Sequence, residues 1–183
     1  MLAERVIVRI KRILVPTDLS EASMPALKLA ENLGRIFKAE LALLFVVEPL
    51  DMSGDILSGG AVASAIEAQE KTARAQLARA ATRLRRRGLR VRILVGTGKA
   101  ASVIVDTARQ GSTDLIVVGT HGRSGLSHVF MGSVAERVVR TAGCPVVTVP
   151  PHPKQTTRRA ASKRRGLRGS ANGLPRVSTA TLI

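Results

Sequence analysis

The sequence predicts an α/β protein, a doubly wound five-stranded parallel sheet with helices on both faces. Two observations carry this. Short runs rich in Val, Ile and Leu alternate with longer stretches whose apolar residues recur every three or four positions, the pattern of buried strands covered by amphipathic helices. The two kinds of segment also succeed one another singly, as in a chain of βαβ units. The 183 residues are 45% hydrophobic and 23% charged, which suffices for one domain with its own core.

The expected strands are 10–16, 40–47, 89–95, 114–119 and 145–149. Between the first two lies a helix over about 21–37, with Ser20 or Ser23 as N-cap and Pro25 in its opening turn, where a missing N–H does no harm. Leu27, Ala30, Leu33 and Phe37 share its inward face. The next helix covers about 61–87, with Ile66, Ala73, Leu77, Ala81 and Leu84 inward and Gly88 as its stop. Arg83, Arg85, Arg86 and Arg87 crowd its end, where the macrodipole favours cations; this reads as a solvated helix end rather than a binding patch. Helices over about 100–110 and 133–142 complete the order. The stretch 48–60, with three glycines, two serines and two aspartates, is a lid or an ordinary exposed connection.

Lys and Arg number 29 against 13 acids, a net charge of +16. Half of that excess lies in 151–183, which holds eight basic residues and no acid. That segment has no sustained apolar period, so the expected division is a folded domain over 1–150 and a basic, disordered tail over 151–183. No apolar run is long enough to span a bilayer and the N-terminus has no signal-peptide core, so the protein is expected in the cytoplasm. The lone Cys144 excludes an internal disulfide and multi-cysteine zinc sites; it reads as a buried structural thiol. With no Trp or Tyr and three Phe, the chain lacks the stacking platforms of single-strand nucleic-acid binders.

Ligands of open parallel sheets bind beyond the carboxyl ends of the strands. Pro16-Thr17-Asp18 follows the first strand. From position alone, Asp18 either caps the next helix or accepts hydrogen bonds from ribose hydroxyls. After the fourth strand comes GTHGRSGLSHVFMGSVAERV, with Gly119 and Gly122 in a loop and Gly132-Ser133 entering the last helix. Close backbone approach and the free N–H groups of a helix N-terminus make this an anion site, or else a glycine-rich turn with a serine cap. Gly96-Thr97-Gly98-Lys99-Ala100-Ala101 imitates nucleotide loops, but Ile93 stands where the first Walker glycine belongs and Ala100 where the metal-binding hydroxyl belongs. His121 and His128 flank the glycine loop as surface residues or, less readily, as an acid or base. No acidic cluster accompanies them, so no metal site is expected.

The spacing of Gly119, Gly122, Gly132 and Ser133, with the early Ile-Leu-Val-Pro-Thr-Asp and the terminal Cys-Pro-Val-Val-Thr-Val, resembles the ATP-binding branch of the universal stress protein family. The resemblance covers about residues 10–150. It implies strand order 3-2-1-4-5 in an adenine nucleotide alpha hydrolase-like sheet, with ATP, alone or with Mg²⁺, at the ends of strands one and four. Carried onto this chain, Asp18 would hold the ribose beside Pro16 and Thr17, and Val46 would contact adenine through its backbone. Gly119, Gly122, Gly132, Ser133 and Val134 would line the ribose and phosphate path, and Arg123 is either a partner of an outer phosphate or solvated. The resemblance further implies a homodimer through Val146, Val147, Thr148 and Val149 and a nucleotide-dependent regulator of the stress response. No catalytic residue is expected, with slow ATP hydrolysis at most. The alternative is a nucleic-acid or anionic-surface binder driven by the tail. Eight phosphate contacts would give a slope of about −7 in log K against log salt on duplex DNA, and such binding should vanish in a chain ending at Pro150.

Overall fold

A computed structural model describes residues 9–49, 59–121 and 131–151. The elements are β1 (Arg12–Pro16), α1 (Met24–Phe37), β2 (Glu40–Val47), α2 (Gly59–Arg86), β3 (Val91–Thr97), α3 (Ala100–Gln110), β4 (Leu115–Gly119), α4 (Ser133–Thr141) and β5 (Val146–Val149). All pairings are parallel and the order is β3-β2-β1-β4-β5, as the resemblance implied.

The period-two alternation of the strands separates two cores. Ile13, Val15, Leu41, Leu43, Phe45 and Val117 face α1 and α2, meeting Ala26, Leu27 and Ala30 of the first and Ala73, Leu77 and Ala81 of the second. Leu14, Ala42, Leu44, Ile116 and Val118 face the other way, onto Ile104, Val105 and Ala108 of α3 and Ala135 and Val138 of α4. Both sheet faces are therefore covered, and the central strands read as unbroken apolar runs.

At its amino edge the sheet is fastened by Asp114, whose Oδ2 accepts the backbone N–H groups of Lys11 and Arg12 at 2.7 and 2.8 Å. At its carboxyl edge the sheet splits. β1 pairs with β4 only at Ile13↔Leu115 and Leu14↔Ile116. Beyond that, each strand follows its outer neighbour: Thr17 N–H bonds to Leu44 O at 2.8 Å, and Thr120 N–H to Val149 O at 2.9 Å. The crevice between β1 and β4 is the switch point of the topology.

Several local expectations change. α1 begins at Met24, three residues late, because Leu19 takes a left-handed φ of 58° and Ser20–Ser23 form a turn. Ser23 occupies the cap position, yet its hydroxyl donates to Ser20 O and contacts Thr17 Oγ1 instead of capping the helix. Phe37 is 42% exposed rather than inward, since α1 closes at left-handed Lys38 and Ala39 fills the buried position behind it. β3 runs two residues later than expected, because pairing with β2 continues through Val46↔Gly96 and Val47↔Thr97.

The arginine-rich end of α2 is only partly a solvated face. Arg85 donates to Val91 O through Nε and a terminal nitrogen, and Arg87 donates to both oxygens of buried Glu31 at 3.0 and 3.1 Å. Glu31 also pairs with Arg35 one turn along α1. The tail 152–183, most of the stretch 48–60, and Gly122, Arg123 and His128 lie outside the described residues.

Candidate functional site

The crevice opens into a cleft of about 740 Å³, within the size range of small-ligand and cofactor sites. Eight of the ten residues singled out from the sequence line it: Pro16, Thr17, Asp18, Val46, Gly119, Gly132, Ser133 and Val134. The other two, Gly122 and Arg123, fall in the undescribed stretch between His121 and Met131.

Asp18 is not the cap of α1, which removes one of its two readings. Its Oδ1 accepts the N–H and the hydroxyl of Ser20 at 3.1 and 2.7 Å, a tight turn closed at Ser20, before the helix starts at Met24. Burial pushes its pKa up, but hydrogen bonds from Ser20 and Ser23 outweigh that and leave it below the ordinary 3.8. The cleft thus contains an ionised carboxylate, an acceptor suited to hydroxyl donors. A group whose folded pKa is depressed stabilises the fold above its unfolded pKa and loses that contribution as pH falls through the folded value. The stability gap between wild type and Asp18→Asn should therefore be full above about pH 5 and shrink below 3.8. Urea midpoints measured from pH 6 down to pH 3 check this, and a gap that widens in acid would contradict it.

Gly132 is required by a close approach. Its N–H donates to Thr120 O at 2.8 Å, and a Cβ there would lie 3.0 Å from that same oxygen. This contact clasps the end of β4 to the start of α4. Among the described residues no side chain caps α4, and Ser133, Val134 and Ala135 at its start line the cleft, a position that suits an anion.

A second helix opens onto the same cleft and behaves oppositely. Ala100 and Ile104 of α3 line it, but the first N–H of α3 already donates to Glu48 Oε1 at 2.6 Å. The stretch before α3 is engaged within the protein as well: Gly98 N–H donates to Val47 O and Thr97 Oγ1 donates to Glu70 Oε1. Among the described residues, a carboxylate accepts the first N–H of α3 and none accepts that of α4, whose first-turn Glu136 reaches Arg140 instead.

Sequence reasoning missed Glu48, although it directly follows β2 and the strand-end rule points to it. It also missed the polar stripe Gln69, Thr72 and Gln76 of α2, which lines the cleft beside Ala68 and Ala73; their spacing of three and four residues was the available signal. Thr120 and His121 line the cleft as well, with Thr120 Oγ1 2.9 Å from His121 Nδ1. Cys144 is half-buried against the α3 and α4 core, and burial together with nearby Asp114 raises its pKa above 9.0, which keeps the thiol protonated and unreactive. Among the described residues no cluster of three His, Cys, Asp or Glu is placed to hold a metal ion.

A family model described as the universal stress protein family matches residues 9–150. The chain belongs to that family. A universal stress protein of Methanocaldococcus jannaschii, MJ0531, is 33% identical over 146 residues, covering 76% of this chain and 81% of its own length. The solved universal stress protein UspA of Lactobacillus plantarum superposes with a TM-score of 0.69 at 26% identity, over 77% of this chain and 98% of its own. A universal stress protein solved in complex with cAMP has the same fold, with a TM-score of 0.55 at 24% identity over 78% and 98% of the two chains. No helix among the described residues of this family member is long and apolar enough to cross a membrane.

Proposed function

We propose that this universal stress protein binds an adenine nucleotide, ATP in the first instance, in the cleft at the carboxyl ends of β1 and β4, and that occupancy regulates a stress response in the cytoplasm. The observation that carries this is the pairing of ionised Asp18 with the uncapped N-terminus of α4 across one cleft. In this reading Asp18 accepts the ribose hydroxyls, with Pro16 and Thr17 beside it, and the backbone of Val46 meets the base. Gly119, Gly122, Gly132, Ser133 and Val134 border the ribose and phosphates, and Arg123 neutralises an outer phosphate. The cAMP complex of a protein with this fold supports the ligand class. Mg²⁺, where it accompanies ATP, is carried by the phosphates, and the protein acts as a binding module with slow hydrolysis at most.

Purification in high salt, denaturation and chromatography of the released small molecules test the reading. The chain has no Trp or Tyr, so an ultraviolet spectrum is dominated by any bound base. One adenine nucleotide per chain, or saturable binding of added ATP, is the expected result; an empty protein that also ignores ATP overturns it. The reading extends to a homodimer through the edge strand β5, Val146–Val149, which a monomeric sedimentation coefficient at micromolar concentration would refute. The folded domain is assigned to 1–150, and the basic tail is assigned a separate, salt-sensitive contact with nucleic acid or an anionic surface, abolished by ending the chain at Pro150.

A further inference from the structure

We propose that the end of the domain opposite the cleft is a docking face for an anionic lipid bilayer. This face is distinct from both the cleft and the tail. The topology builds it: in an all-parallel sheet with helical crossovers, every strand starts and every helix finishes at the same end, away from the cleft. Helix C-termini favour cations, and here the strand starts add more. Segments 9–12, 35–40 and 83–92 carry eleven Lys and Arg and one acid, Glu40. They are neighbours in space. Glu40 N–H donates to Lys11 O at 2.8 Å, Leu41 N–H to Arg90 O at 2.9 Å, and the Arg90 guanidinium to Lys38 O at 2.9 Å.

Part of this charge is used within the fold. Glu31 pairs with Arg35 and Arg87, and Glu40 lies 4.0 Å from Arg92. Among the described residues no acid pairs with the exposed side chains of Lys11, Lys38, Arg83 or Arg86. Two apolar side chains stand among these cations: Ile36 is 71% exposed and Phe37 42%, between Arg35 and Lys38 where α1 ends. An anionic bilayer answers both features, because its surface potential draws Lys and Arg and its interfacial layer takes apolar side chains out of water. The phosphate backbone of a nucleic acid would match the cations and leave Ile36 and Phe37 in water. Docked by this face, the domain holds the carboxyl end of its sheet, and with it the cleft, away from the membrane.

The test is co-sedimentation of the full chain at low ionic strength with vesicles of phosphatidylglycerol and phosphatidylcholine, and with vesicles of phosphatidylcholine alone. Three chains are compared: wild type, a neutralised variant combining Lys11→Gln, Lys38→Gln, Arg83→Gln and Arg86→Gln, and an apolar variant combining Ile36→Ser and Phe37→Ser. The tail is common to all three, so its own contribution cancels. Wild type should bind the anionic vesicles and ignore the neutral ones. The neutralised variant should bind at least about 30-fold more weakly, the loss expected when two or more cations leave an anionic surface. The apolar variant should lose about 10-fold or more on vesicles, with its affinity for duplex DNA unchanged. All six positions are exposed, so the sheet should survive, with circular dichroism as the control. Wild type that fails to bind anionic vesicles overturns the inference, as does a neutralised variant that binds them as wild type does, which would leave the attraction to the tail. An apolar variant with undiminished vesicle binding overturns it too, since the face would then recognise charge alone. If the neutralised variant does not fold, the apolar variant and the two vesicle compositions decide.

Discussion

Gly132→Val is expected to weaken ATP binding by at least about 100-fold while leaving the sheet folded. The backbone oxygen of Thr120 stands 3.0 Å from the position of a Cβ at residue 132, and a backbone atom cannot swing aside as the tip of a side chain can. Valine adds two further carbons, so the Gly132–Thr120 hydrogen bond must lengthen and the start of α4 must move. The amides at Ser133 and Val134 then lose their aim. Each hydrogen bond to a charged group contributes about 1.5–3 kcal/mol, and losing two of them reaches a 100-fold change. Gly132→Ala should show a smaller loss in the same direction. Titration calorimetry with far-UV circular dichroism as the folding control measures both, and wild-type affinity in Gly132→Val would remove α4 from the binding site.

The largest effect on stability is expected from Leu41→Ala, a loss of about 2–5 kcal/mol out of a total of about 5–15 kcal/mol for a domain. Leu41 is fully buried in the α1 and α2 core. Its side chain also explains why α1 carries Gly34 in its last turn: a Cβ there would meet the ends of Leu41 and Leu89 at 3.0 Å each. In wild type, Gly34→Ala should gain little, because its improved helix propensity of about 1 kcal/mol is offset by that crowding. In the Leu41→Ala background one obstacle is gone and the other can turn into the vacated space, so the same change should recover about 1 kcal/mol. Urea unfolding of the four variants closes the cycle. Strict additivity would show that the contact does not govern Gly34.

The fold was legible because its decisive signals are local. β-branched runs such as Leu115-Ile-Val-Val118 and spaced apolar residues such as Ala73, Leu77 and Leu84 declare their elements without tertiary information. The sheet order required the family resemblance. Misjudged boundaries lie where distant residues decide: β3 extends through Gly96-Thr97 because β2 is there to pair with it, and Phe37 is exposed because of how α1 ends. The cleft followed the same division. Pro16 to Asp18 and Gly132 to Val134 stand at strand and helix ends and were visible in sequence. Glu48 also stands at a strand end, but its role as the cap of α3 depends on Ala100, 52 residues away. The partners of Arg85 and Arg87 were hidden for the same reason.

If the cleft holds a nucleotide as proposed, the cap that Glu48 places on α3 bears on which way round it lies. Two helix ends face the cleft, and in isolation either would attract a negative group. With a carboxylate already on one, a molecule carrying its charge at one tip meets attraction in one pose and like-charge repulsion in the reversed pose. On the proposed reading the socket is keyed: a nucleotide is expected to load with its charged tip toward α4 and its neutral tip toward β2 and α2. Glu48→Gln should loosen that key, admitting the reversed pose without altering the shape of the cleft.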